Sequence, residues 1–99
     1  MIRHVFTMKF KPDANEEQIN AFITEMKTLK GQIPGMIDFH IGRNLAWHME
    51  KSHTVVVADL EDRKAWDTYM NFPKHLALGE KYADLFDEPT MIASQIEID

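Results

Sequence analysis

The apolar residues of this chain switch between period two and helical spacing in the order strand, helix, strand, strand, helix, strand. That order constrains the fold more than any single motif. In IRHVFTMKF (2–10), Ile2, His4, Phe6, Met8 and Phe10 share one face of a strand. Arg3, Thr7 and Lys9 take the other, with Val5 the apolar exception, and Pro12 stops the strand. DANEEQINAFITEMKTLKGQI (13–33) places Ile19, Phe22, Ile23, Met26, Leu29 and Ile33 on one helical stripe. Asp13 or Asn15 can cap it, Glu16 and Glu17 suit the positive end of its dipole, and Pro34–Gly35 ends it.

MIDFHIG (36–42) reads as a second strand, with Ile37, Phe39 and Ile41 on one face and Met36, Asp38 and His40 on the other. RNLAWHMEKS (43–52) is an irregular connection, polar apart from Leu45, Trp47 and Met49. HTVVVADLE (53–61) is continuous in valine, which predicts a strand buried on both faces. DRKAWDTYMN (62–71) is a short helix capped by Asp62, with Ala65, Trp66, Tyr69 and Met70 inward. Pro73 breaks it. KHLALGEKYADLF (74–86) resumes as helix, with His75, Leu78, Tyr82 and Leu85 or Phe86 along one face. TMIASQIEI (90–98) is the last strand, with Ile92, Ser94, Ile96 and Ile98 on one face.

This is the split βαβ order of an α+β, ferredoxin-like domain spanning residues 1–99. It predicts a four-stranded antiparallel sheet with the helices on one face. Nothing in the chain covers the other face, so a second copy is expected there, giving a homodimer through the open sheet face. A chain of 99 residues buries only about 60–70% of its unfolded surface, so it gains from such a partner.

The formal charge is −5 and no Lys/Arg cluster offsets it, so nucleic acid is not an expected partner. There are no cysteines, which removes disulfides, thiolate catalysis and zinc-thiolate sites. MIRHVFTMKF is too interrupted by charge for a signal peptide, and no segment has about 20 apolar residues. A cytoplasmic protein with no membrane contact is expected.

The chemistry concentrates in the histidines. A surface or structural role is the ordinary reading of each of the five, but His4 lies among apolar neighbours, and a buried imidazole needs partners. The first and third strands of a split βαβ sheet are central neighbours, so His4 and His53 are expected to approach each other. Tyr69 and His75 come from the helical layer above. Six positions on an unbroken helix amount to about 600° of rotation, about 120° off the same face, so the pair converges only if Pro73 breaks the helix. Otherwise Tyr69 is a core aromatic with its hydroxyl at the rim, and His75 merely starts a helix. Asp59, Glu61 and Asp62 read as a solvated helix cap, and no HxH or HxxxH spacing suggests a metal.

IRHVFTMKF, IPGM (33–36), GRN (42–44), HTVVVADLED (53–62) and YMNFPKH (69–75), in this order and spacing, resemble the stress-responsive A/B barrel domain (Dabb, dimeric α/β barrel) family over essentially the whole chain. The resemblance implies homodimers in which two ferredoxin-like sheets meet as a barrel. One family member, an aldol-type polyketide cyclase, uses a tyrosine and a histidine at the positions of Tyr69 and His75, and carries histidines at those of His4 and His53. It has a pocket tyrosine where this chain has Met26 and a histidine where this chain has Phe72. The first departure removes a polar contact from the pocket and the second implies a more apolar rim, so the resemblance does not carry over the same substrate.

Three functional readings follow. In the first, the protein is a cofactor-independent acid–base enzyme, a cyclase, isomerase or lyase acting on a small carbonyl compound. His75 is then the general base, Tyr69 holds the developing oxyanion, and His4 and His53 orient substrate or relay protons. Phe6, Phe22, Ile23, Met26 and Val55 supply apolar walls. In the second, the protein is a non-enzymatic, stress-related dimeric barrel whose His4, His53, Tyr69 and His75 form a buried bonded network. The third is a haem-degrading or monooxygenase-type barrel, suggested by Trp66 and His75, although the first strand lacks the asparagine those barrels use.

Overall fold

In the computed structural model, residues 1–48 and 53–99 are described. Four strands, β1 (Ile2–Lys9), β2 (Met36–Arg43), β3 (His53–Leu60) and β4 (Ile92–Glu97), form an antiparallel sheet in the order β2-β3-β1-β4. Helices α1 (Glu16–Lys27), α2 (Arg63–Asn71) and α3 (Pro73–Lys81) complete the β-α-β-β-α-β order. The connection at 49–52, with Met49, lies outside the described residues.

The helices cover one face because the strands offer it an apolar row. Val56, Ala58 and Leu60 of β3 and Phe39 and Ile41 of β2 are buried there against Ile19, Phe22 and Met26 of α1. Asn15, not Asp13, caps α1: its side chain accepts from the amides of Glu17 (2.8 Å) and Gln18 (3.1 Å). Val55 and Val57 point to the open face and are half-buried, so within one protomer the valine run is covered on one side only.

Three element boundaries differ from those expected. α1 stops at Lys27 rather than running to Ile33. The Thr28 hydroxyl bonds back to the Glu25 carbonyl (2.6 Å), and Gly31 adopts the left-handed region at φ +85°. Leu29 and Ile33 still reach the core, from turns. α3 stops at Lys81 because Tyr82 leaves helical geometry; a short 3-10 turn over Ala83–Leu85 follows. The Tyr82 ring meets Phe22 edge-on at 5.4 Å, and its hydroxyl donates to Glu25. In β2 a register shift between Met36 and Asp38 takes Ile37 off the face of Phe39 and Ile41 and leaves it 54% exposed.

Gly35 at φ +82° passes beneath α2 so closely that a Cβ would stand 2.6 Å from the Ala65 Cβ. Opposite the helices, the open face carries Val5, Thr7, Val55, Val57, Ile92, Ser94 and Ile96, bordered by Arg3, Asp59 and His40.

Candidate active site

The break between α2 and α3 builds the centre of the site. Phe72 is extended (φ −62°, ψ 125°) and serves as C-cap of α2 and N-cap of α3, with Pro73 as the first residue of α3. In a continuous helix the Tyr69 carbonyl would accept from the amide of residue 73, but proline has none. That carbonyl instead lies 3.0 Å from His75 Nδ1, and also accepts from the Phe72 amide at 3.2 Å. The Tyr69 and His75 rings stack, with centroids 4.4 Å apart and planes 15° from parallel. A carbonyl can only accept, so Nδ1 of His75 carries the proton and Nε2 keeps its lone pair.

Tyr69 and His75 line a cavity of about 480 Å³ between the helices and the sheet. Its floor is His4, Phe6, Met8 and Val56, with Ala93 and Gln95 of β4 beside them. Phe22 and Met26 close one wall, and Trp66, Met70, Gly79, Ala83, Phe86 and Met91 complete it. Glu88 is the one formally charged lining residue among those described. The volume is that of an ordinary small-molecule site.

No hydrogen bond from the Tyr69 hydroxyl is found among the described residues, and burial raises its pKa well above the usual phenol value. Burial lowers the pKa of His75, opposed by its bond to the Tyr69 carbonyl. His4 is also lowered, by burial and then by the nearby His75. Both imidazoles are therefore neutral near pH 7.

The remaining expected residues divide. His4, Phe6, Phe22 and Met26 line the cavity, whereas Ile23 packs against the core beside it. His53 and Val55 do not belong to it. β1 and β3 are central neighbours as expected, but His53 pairs with Lys9, and His4 pairs with Ala58. Cross-strand partners share a face, so His53 and Val55 point to the open side, with Thr7 and Lys9. The approach of His53 to His4 is ruled out by strand parity and by five positions of register.

Trp66 and Gln95 were not expected at the site as partners of His4. Trp66 Nε1 lies 3.2 Å, and Gln95 Nε2 3.0 Å, from His4 Nδ1. Placing Gln95 needed the β4 register, in which it stands opposite His4. Asp62 caps α2 through the Ala65 amide (2.9 Å), and Asp59 binds Arg3 (2.8 and 3.0 Å). Among the described residues no group of His, Asp and Glu is arranged to hold a metal, and no helix is long and apolar enough to cross a membrane.

Residues 2–95 match the stress responsive A/B barrel domain family. The chain is 25% identical over 89 residues to olivetolic acid cyclase of Cannabis sativa, covering 88% of each protein. Among solved structures, a dimeric ferredoxin-like protein of unknown function from Thermobifida fusca superposes with a TM-score of 0.85 at 24% identity, over 98% of this chain and 90% of that one. Hydroxynitrile lyase from Passiflora edulis gives 0.78 at 14% identity, over 99% and 93%. These structural likenesses show the fold.

Proposed function

The chain belongs to the stress-responsive A/B barrel family, and from that premise we propose a cofactor-independent acid–base enzyme acting on a small, uncharged, mostly apolar carbonyl compound. The observation that carries it is the pairing, in one apolar cavity, of a neutral imidazole with a free Nε2 lone pair and a stacked phenol with an uncommitted hydroxyl. Nε2 of His75 takes a proton from the carbon alpha to the carbonyl. The electron pair moves onto the carbonyl oxygen, where the Tyr69 O–H donates to it as charge develops. The imidazolium is stabilised through Nδ1–H by the Tyr69 carbonyl, and later returns its proton to the product. The same enolate serves a cyclase, an isomerase or a lyase.

The relatives support this class of chemistry: one is a named cyclase and a structural neighbour is a named lyase. Met26 and Phe72 make wall and rim apolar, and the lining offers no Lys or Arg to an anionic substrate. The protein acts as a homodimer joined through its open sheet face, as its dimeric structural neighbours suggest. A non-enzymatic barrel would call for His4, His53, Tyr69 and His75 bonded to one another. His53 lies on the far face, His4 bonds to Trp66 and Gln95, and His75 bonds to the backbone carbonyl of Tyr69, so the four side chains do not form one bonded network.

The test is deuterium uptake from D2O at carbons alpha to the carbonyl, followed by proton NMR over a panel of apolar ketones and β-dicarbonyls. His75→Ala should lower the enzyme-dependent rate by about 10²–10⁴-fold, and Tyr69→Phe by about 10²–10³-fold. Uptake that is no faster than buffer across the panel, or that survives His75→Ala, removes the proposal.

A further inference from the structure

His4 is the one lining imidazole whose Nδ1 faces two nitrogen groups. An indole N–H can only donate, so the 3.2 Å contact from Trp66 Nε1 makes His4 Nδ1 an acceptor. The Gln95 side-chain nitrogen, 3.0 Å from the same atom, must then be donating too, and the lone pair is shared by two donors. His4 is 3% exposed, so water does not compete freely for that atom. Its proton sits on Nε2, which meets no protein group among the described residues. His75 shows the reverse arrangement: Nδ1 donates to the Tyr69 carbonyl and Nε2 is bare.

We infer that Trp66 and Gln95 are positioning residues that hold His4 in the Nε2–H tautomer, so that the two histidines of the cavity carry opposite tautomers and opposite roles. His4 is a hydrogen-bond donor and not a second base. With the Tyr69 hydroxyl it gives the cavity two donors for one oxygen, and His75 gives it the one imidazole acceptor among the described residues. A carbonyl oxygen accepts from both donors, and more strongly as it becomes an enolate. The catalytic consequence rests on the acid–base reading above; the tautomer assignment does not.

Nitrogen-15 NMR of the histidine rings in the full-length protein, at a pH where both are neutral, reads this directly. His4 should show a pyridine-like Nδ1 and a pyrrole-like Nε2, and His75 the reverse. Gln95→Glu, on an exposed strand, replaces a donor with an acceptor and should draw the His4 proton onto Nδ1. Trp66→Phe keeps the ring and removes the donor; it should average the two His4 nitrogen signals and slow alpha-carbon exchange about tenfold. Should Trp66→Phe fail to fold, Gln95→Glu still decides. Pyrrole-like Nδ1 in wild-type His4, or nitrogen signals unmoved by Gln95→Glu, overturns the inference. Opposite tautomers in a protein that exchanges no alpha protons would instead overturn the acid–base reading and leave this one standing.

Discussion

At the scale of single residues, burial of His4 and His75 sets a pH dependence of stability and, on the proposed mechanism, of activity. Both pKa values lie below the ordinary 6.5. As pH falls through 6.5 the unfolded chain takes up protons that the native chain refuses, so stability is full above that value. It is lost progressively from there down to the lowered native values. The carboxylates act in a separate window. Lys30 first, then the Phe39 amide and His40, hold Asp38 at about 2, and Arg3 lowers Asp59, so their contributions disappear only below the ordinary 3.8. Urea midpoints measured from about pH 7 to about pH 5 should therefore fall, and a His4→Gln/His75→Gln double variant should flatten that slope. A wild-type midpoint that stays level over this range contradicts the burial argument. On the proposed mechanism the same shift should put the acid limb of kcat/KM below 6.5, and Tyr69, its pKa raised by burial, should add no basic limb near neutrality. A rate that rose as pH fell through 6.5 would make His75 an acid.

At the scale of elements, the break at Phe72–Pro73 is the step from chain to site. Proline ends α2, and its missing amide also frees the Tyr69 carbonyl that fixes the His75 tautomer. Pro73→Ala supplies a competing N–H, and alanine allows α2 to continue toward α3. Deuterium exchange should then slow by about tenfold, equivalent to about 1.4 kcal/mol, with little loss of thermal stability. Rates and His75 ring-nitrogen shifts unchanged from wild type would show that another group orients the ring. This break, the element order and the His4 face were legible in the sequence, because proline and strict alternation are local signals. His53 was not, since its family position and the adjacency of β1 and β3 said nothing about parity; Lys9 opposite it decides the face. Ile37 was misplaced because a bulge leaves no mark in a run of β-formers. Trp66 was assigned inward, but its bond to His4 needed the α2–sheet distance, and Gln95 needed the pairing of β4 with β1.

At the scale of the whole molecule, β4 links the cavity to the proposed dimer. It is an edge strand paired only with β1, and every residue from Ile92 to Glu97 is exposed in one protomer. Its two faces have different tasks. Ala93 and Gln95 face the cavity, while Ile92 and Ile96, 64% and 54% exposed, join Val5, Val55 and Val57 on the open sheet. An apolar sheet face of this kind is stable when a second sheet covers it. A partner there would also hold β4 in register, and with it the Gln95 proposed to orient His4. Ile96→Lys puts a second cation beside Arg3 on the β4 side of that surface without touching the cavity, and burying an unpaired ammonium there is costly. Sedimentation velocity should show wild type as a dimer and Ile96→Lys as predominantly monomer. The monomer should keep its fold yet show faster amide exchange in β4 than in β2, and a slower alpha-carbon exchange reaction. A monomeric wild type would dismiss the open face as an interface. A variant that becomes monomeric with full activity and an unchanged His4 spectrum would show instead that β1 alone holds β4, and that each protomer carries a self-sufficient site.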